Sequence, residues 1–440
     1  MGLMNRPTDQ DPEHAPRKLE DARLDAPRLA AALAGDREAV REAMVQLERE
    51  PEAPATPGAP PGALIGAPSG ALIGARLPML LARRATESEP PLEIPDRLRA
   101  LRARTAARWM AIERMLAELG RRLGAAEVAW APIKGADLAA TVYPEPTDRP
   151  MTDVDLLVPE ACYRRARRAL ETAGWRSAVP GPRFDRFIED EGTAWTAVRD
   201  ADPVPVELHF RLWGFVPAGL GDALLDRSAP EPSLGPTGRR LRPVDRFLLA
   251  AIHPWLHLPP RSLANWWEVR LLAEPGSRQW DGQRDESEGA PGGLLDEIVD
   301  SACRWGLQLP VTLSAVQVTR LWDDARCSRL AETLERTLRT GERLAVRRFL
   351  DAAPARAGTP DDVSIERLAA ARILARRPSR SGLRPLLRRV WAHPGVVERL
   401  TPDAWSWPRR RVVHVLQCLG MAPAPRGDWW RAPTHGHRAR

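Results

Sequence analysis

The sequence predicts an α+β protein with a small mixed sheet core in the middle of the chain and a largely helical C-terminal region. Two observations carry this. Short apolar runs of strand length occur at 128–133, 155–158, 193–198 and 204–209, broken by turn residues and one Arg-rich helical stretch. Beyond about Pro243 the apolar period lengthens, favouring helices over 243–257, 261–273, 294–322, 324–357, 362–377, 382–392 and 407–419.

Taken in order, residues 1–22 are polar and rich in Pro, Asp and Arg, and read as a disordered tail. Residues 23–50 alternate Ala, Leu and Val with Arg and Glu at helical spacing, an N-terminal helical segment. Residues 51–90 read as a flexible linker rich in Pro, Gly and Ala; its repeat of Ala63-Leu64-Ile65-Gly66 at Ala71-Leu72-Ile73-Gly74 is too short for a solenoid. An α/β domain is expected over 91–235. It opens with an amphipathic helix over 91–123, anchored by Leu98, Leu101, Trp109, Ile112, Leu116 and Leu119 and stopped by Gly124. Lys134-Gly135 turns the chain into a short helix over 136–141, and a helix with an Arg-rich outer face follows over 160–174. A helical domain over 236–420 and a disordered tail over 421–440 complete the expected organisation.

Composition narrows the function classes. With 65 Lys and Arg against 58 Asp and Glu the net charge is +7, and the basic residues are spread along the chain. This permits an anionic substrate without marking a nucleic-acid surface, and no aromatic-basic stripe supports one. The four cysteines, Cys162, Cys303, Cys327 and Cys418, form no close pair, which argues against a Cys-rich zinc site or a disulfide scaffold. No N-terminal signal pattern and no run of 18 apolar residues is present, so a cytoplasmic protein with no membrane partner is expected.

The chemistry concentrates between Lys134 and His209. Asp153 and Asp155 stand two apart at the start of an apolar strand, so both side chains point the same way, about 6.6 Å apart along the backbone. Side by side, two carboxylates repel, which raises one pKa unless a cation offsets the charge. Mg²⁺ (or Mn²⁺) takes oxygen ligands and bridges to substrate phosphates. Glu207, on a neighbouring apolar strand, is the third carboxylate, for metal or for deprotonating an attacking hydroxyl. Gly135 lets the backbone approach a ligand. Lys134 and Arg149 are candidates for holding phosphates. His209 shares the face of Glu207 as a substrate or supporting contact. In the helical half, His253 and His257 stand four apart and would share a helix face. That spacing can bind zinc, but no third ligand follows, and packing or substrate contact fits better. Asn265 and Glu268 are candidates for lining the cleft, with Trp255, Trp266 and Trp267 read as packing.

These residues resemble a known pattern. Ile133-Lys134-Gly135, Arg149, Asp153-Val154-Asp155-Leu156-Leu157-Val158, Gly174-Trp175 and Glu207-Leu208-His209 are similar to the uncharacterised bacterial nucleotidyltransferase family, within the nucleotidyltransferase superfamily of DNA polymerase beta type. The resemblance implies a polymerase-beta-like nucleotidyltransferase core followed by a helical region. It also implies a metal-dependent transfer of a nucleoside monophosphate from an NTP donor to an acceptor, a peptide or a small molecule among the options. Lys134-Gly135 replaces the Gly-Ser or Gly-Gly turn usual in the wider superfamily. That change favours the alternative, a catalytically degenerate fold serving as a protein or peptide binding module.

Overall fold

The computed structural model describes residues 26–49, 76–178, 194–212, 216–256, 263–274 and 293–351, with isolated positions between 181 and 189. The expected tails, the helices expected beyond 351, and His257 lie outside the described residues.

The N-terminal segment forms two helices, α1 (Ala26–Ala34) and α2 (Arg37–Arg49), rather than one. Asp36 separates them, its Oδ1 accepting a hydrogen bond from the Ala39 amide at 3.0 Å. The expected linker gives way to helix at Arg76: α3 (Arg76–Glu87) buries Met79, Leu80, Leu81, Ala82 and Ala85. That apolar stripe outweighs the Pro- and Gly-rich composition before it. The long amphipathic helix is α4 (Asp96–Ala125), buried at Leu98 and then along Thr105, Trp109, Ile112, Leu116, Leu119 and Leu123, every third or fourth residue from Thr105 on.

The sheet follows. β1 (Ala131–Ile133) leads directly into α5 (Lys134–Thr141); β2 (Val154–Leu157) leads into α6 (Tyr163–Thr172); β3 (Arg176–Ser177), β4 (Ala194–Val198) and β5 (Val206–His209) complete it. The order is β1-β2-β5-β4-β3. β2 and β5 are parallel, and the other pairs are antiparallel. Pro132 is tolerated because β1 is an edge strand. The parallel pair aligns Asp155 with Glu207 and Leu157 with His209. Side chains alternate along each strand. Val154, Leu156, Val206 and Leu208 enter one core with α4 and α6, while Asp155, Glu207 and His209 share the opposite face.

That opposite face looks toward the helices. After α7 (Leu220–Asp226) and a small hairpin of β6 (Ala229–Pro230) and β7 (Arg239–Arg240), the chain runs through α8 (Pro243–Ile252), α9 (Leu263–Ala273), α10 (Gly293–Arg304), α11 (Gln308–Trp322), α12 (Ala325–Thr337) and α13 (Thr340–Asp351). Ala131, Ile133 and Leu157 of the sheet belong to the same apolar core as α8, α9 and α11. Three expected helices are shorter than their periodicity. The helix expected over 243–257 ends at Ile252 and tightens to a 3-10 turn, His253–Leu256, where Pro254 has no N–H to continue it. The helix expected over 294–322 breaks between α10 and α11, where Gly306 takes φ +64°. The helix expected over 324–357 breaks after Thr337, where Leu338 is extended. No described helix is long and apolar enough to cross a membrane.

Candidate active site

Asp155, Glu207 and His209 each offer a ligand atom within 4.8 Å of the others. Among the described residues this is the one His, Cys, Asp and Glu group of that kind. Two neighbouring parallel strands create it: Asp155 lies beside Glu207 in register, and His209 follows two residues on, on the same face. Asp155 is nearly inaccessible at 4 %, while Glu207 is 30 % exposed, so the group opens on the Glu207 side.

Lys134 closes the group from β1. Its Nζ lies 2.6 Å from Asp155 Oδ1 and 3.4 Å from His209 Nε2. His209 Nε2 is 2.8 Å from the same Asp155 oxygen and 3.4 Å from Glu207 Oε2. Its other nitrogen, Nδ1, is buried without a hydrogen-bond partner. Burial alone would lift the Asp155 pKa. The Lys134 ammonium, together with the hydrogen bond and charge of His209, instead holds it far below the usual carboxylate range. For His209, burial and the Lys134 charge push the pKa down, but hydrogen bonds to Asp155 and Glu207 carry it above the ordinary imidazole value.

The remaining expected residues divide. Asp153 is half-buried just before β2, outside the three-member group; its Oδ1 accepts from Thr152 Oγ1 at 3.2 Å, and its charge reaches Arg149. Arg149 is tied to α9. It is 2 % exposed, and its Nε donates to Glu268 Oε1 at 2.8 Å; Tyr143 Oη donates to the same oxygen at 3.1 Å. A guanidinium that buried is held by its carboxylate rather than offered to a ligand. Gly135 is required by this packing. A Cβ there would lie 2.5 Å from Arg149 Nη1 and 3.2 Å from Met151 Sδ. Glu268 and His253 line a cleft between α5, α8 and α9, together with Lys134, Asp137 and Arg246. The cleft is narrow, with a cavity volume of about 10 Å³, room for about one water molecule. Asn265 is buried on α9 and is not part of that lining.

Asp137, Arg246 and Tyr143 escaped the sequence reading. Arg246 Nε lies 3.0 Å from Asp137 Oδ2 as an ion pair, although its N–H is not aimed along a hydrogen bond. Burial raises the Asp137 pKa despite Arg246 and Arg240. The one sequence signal was an acid three residues after Lys134 on a short, otherwise apolar helix.

An α+β fold with an acidic ligand group on a parallel strand pair, faced by helices, defines the class: a nucleotidyltransferase fold with a helical C-terminal region. The profile of the uncharacterised nucleotidyltransferase family matches residues 72–322, and the chain belongs to that family. No curated protein matches it. Membership supports nucleotidyl transfer as the general kind of reaction and an NTP as the kind of substrate.

Proposed function

We propose that this chain is a divalent-metal-dependent nucleotidyltransferase whose centre is Asp155, Glu207 and His209. The convergence of these three donors on one face of the β2–β5 pair carries the reading. Their fit to a metal rests on geometry and donor chemistry. Ligands about 2.1 Å from one octahedral ion lie about 3 to 4.2 Å apart, so donors within 4.8 Å need only a small contraction. Two carboxylates and one imidazole suit Mn²⁺ at least as well as Mg²⁺, which prefers oxygen alone. When bound, such an ion stabilises charge on the phosphoryl group in transfer.

The chain's own residues supply the rest. Transfer joins an acceptor oxygen to the α-phosphorus, breaks the α–β phosphate bond and releases pyrophosphate. Glu207, the most open of the three, receives the acceptor proton. Asp153 adds negative charge beside the donor group. Lys134 lies at the cleft, where an ammonium can meet phosphate oxygens. The open Glu207 side of the group admits the acceptor, a small molecule or a peptide segment, with His253 on the neighbouring cleft wall as an acceptor contact.

Thermal unfolding with Mn²⁺ or Mg²⁺ and each NTP, for wild type and Asp155→Asn, tests this. A metal-dependent shift with one nucleotide, absent in the variant, is expected, followed by transfer of α-phosphate label to an acceptor. No shift with any pair would sink the reading. It would favour a binding module with a degenerate site, for which the Lys134–Asp155 ion pair speaks.

A further inference from the structure

We propose that Lys134 is a tethered cation holding the place of the divalent metal, so that metal uptake depends on the arriving nucleotide. This rests on the metal centre proposed above and assigns Lys134 a positioning role within it. Its ammonium lies against two of the three donors, 2.6 Å from Asp155 Oδ1 and 3.4 Å from His209 Nε2. An incoming dication meets an Asp155 oxygen already engaged by a positive charge. With Lys134 in place, the site would hold three positive charges against the two carboxylates of Asp155 and Glu207, and the cations repel.

The backbone supports a role specific to this side chain. Lys134 takes φ +52°, a left-handed conformation that glycine adopts without strain and lysine does not. It stands directly after β1, whose last residue, Ile133, pairs with Asp155. The turn therefore places a lysine, at a conformational cost, next to the carboxylate that the metal needs. Strain of this kind points to a role for the residue that bears it. The same side chain lines the cleft with Asp137, Glu268 and Arg246; the two carboxylates are already paired with Arg246 and Arg149, so an ammonium leaving Asp155 needs a new anionic partner there. An NTP adds negative phosphates there, drawing Lys134 off Asp155 as its metal arrives.

The test is Mn²⁺ affinity, read from the paramagnetic resonance of unbound Mn²⁺. Wild type, Lys134→Met and Lys134→Arg are compared, each with and without an equimolar mixture of the four α,β-methylene NTP analogues. Wild type and Lys134→Arg should bind Mn²⁺ weakly alone and at least tenfold more tightly with nucleotide. Lys134→Met should bind Mn²⁺ alone at least tenfold more tightly than wild type and lose most of the nucleotide dependence. If Lys134→Met does not fold, Lys134→Gln, which keeps a donor to Asp155 without the charge, takes its place. Wild-type binding with nucleotide, but no gain in either neutral variant, overturns the Lys134 role and leaves the metal centre standing. No Mn²⁺ bound by any protein in either condition overturns the metal centre, and this inference with it.

Discussion

Two ionic clusters sit on either side of the Lys134-Gly135 turn, and they are built to opposite plans. On one side, Arg149 and Glu268 form a closed pair, both buried, with Tyr143 donating to the same carboxylate oxygen. On the other, Asp155 and Glu207 meet Lys134 and His209, the Glu207 edge opens to solvent, and a buried His209 nitrogen has no partner. A balanced, buried pair fixes geometry. A half-open group of ligand atoms leaves room for an added partner. The difference separates two basic residues that chemistry alone grouped together: Lys134 lies against the ligand group, and Arg149 in the buried pair beside it.

The sharpest way to break that comparison is to cut the buried pair. Glu268→Gln or Arg149→Met leaves a buried charge without its counter-ion, and should cost about 3–5 kcal/mol in chemical denaturation. Combining Arg149→Met with Glu268→Leu should recover a substantial part, because neither charge then remains. A cost under about 1 kcal/mol for either single variant would mean that the pair is solvated and that the contrast is wrong.

Next in size is the metal-linked stability of the open cluster. At a hundredfold excess over its dissociation constant, a ligand that binds only the folded state adds about 2.7 kcal/mol. Wild type should gain this from Mn²⁺ with nucleotide, and Asp155→Asn should lose it. Asp153→Asn, outside the three donors, should keep most of it. If both substitutions abolish the gain alike, Asp153 is a ligand and the centre is the carboxylate pair that the Asp-x-Asp spacing suggests.

That outcome bears on how much of the site was legible in the sequence. Asp155 and Glu207 were readable because each sits in a short apolar strand, where a carboxylate conflicts with its surroundings. Their meeting was anticipated by the need for a third carboxylate from a neighbouring strand, but the residues between β2 and β5 do not reveal that these strands pair in parallel or in which register. His209 was placed correctly on the Glu207 face by the two-residue period, yet its contact with Asp155 depends on the same register. Arg149 reads as a phosphate contact because Arg near Asp-x-Asp fits a phosphate site, and its ion pair is not legible in the sequence. Its partner, Glu268, is 119 residues away, and only tertiary packing joins them. The sheet and helices emerged where period was strong. They failed at helix ends, where Pro254, Gly306 and Leu338 cut longer patterns, and at α3, whose apolar stripe lay beneath a Pro- and Gly-rich composition.

Gly135 joins the two clusters, and its substitution sharpens the comparison at intermediate size. Gly135→Ala places a methyl 2.5 Å from Arg149 Nη1. The guanidinium cannot retreat easily while Glu268 holds it, so the overpacking should cost about 1–3 kcal/mol. The same change in an Arg149→Met background should cost less, because a thioether chain can yield where a clamped guanidinium cannot. Equal costs in both backgrounds would show that Met151, 3.2 Å from the same position, is the real obstacle.

The smallest expected effect tests whether distance or environment governs these pairs. Arg176 Nη2 lies 2.7 Å from Asp200 Oδ1, as close as Arg149 Nε lies to Glu268 at 2.8 Å, but both surface side chains are more than half exposed. Water already solvates both charges there, and salt screens their attraction. Asp200→Ala should therefore change stability by less than about 1 kcal/mol, and raising ionic strength to about 1 M should erase even that. The Arg149–Glu268 pair, out of reach of mobile ions, should keep most of its contribution under the same salt. If the two pairs respond alike in size and in salt dependence, burial is not what distinguishes them. The division of this region into a buried pair and an open ligand group would then have to rest on geometry alone.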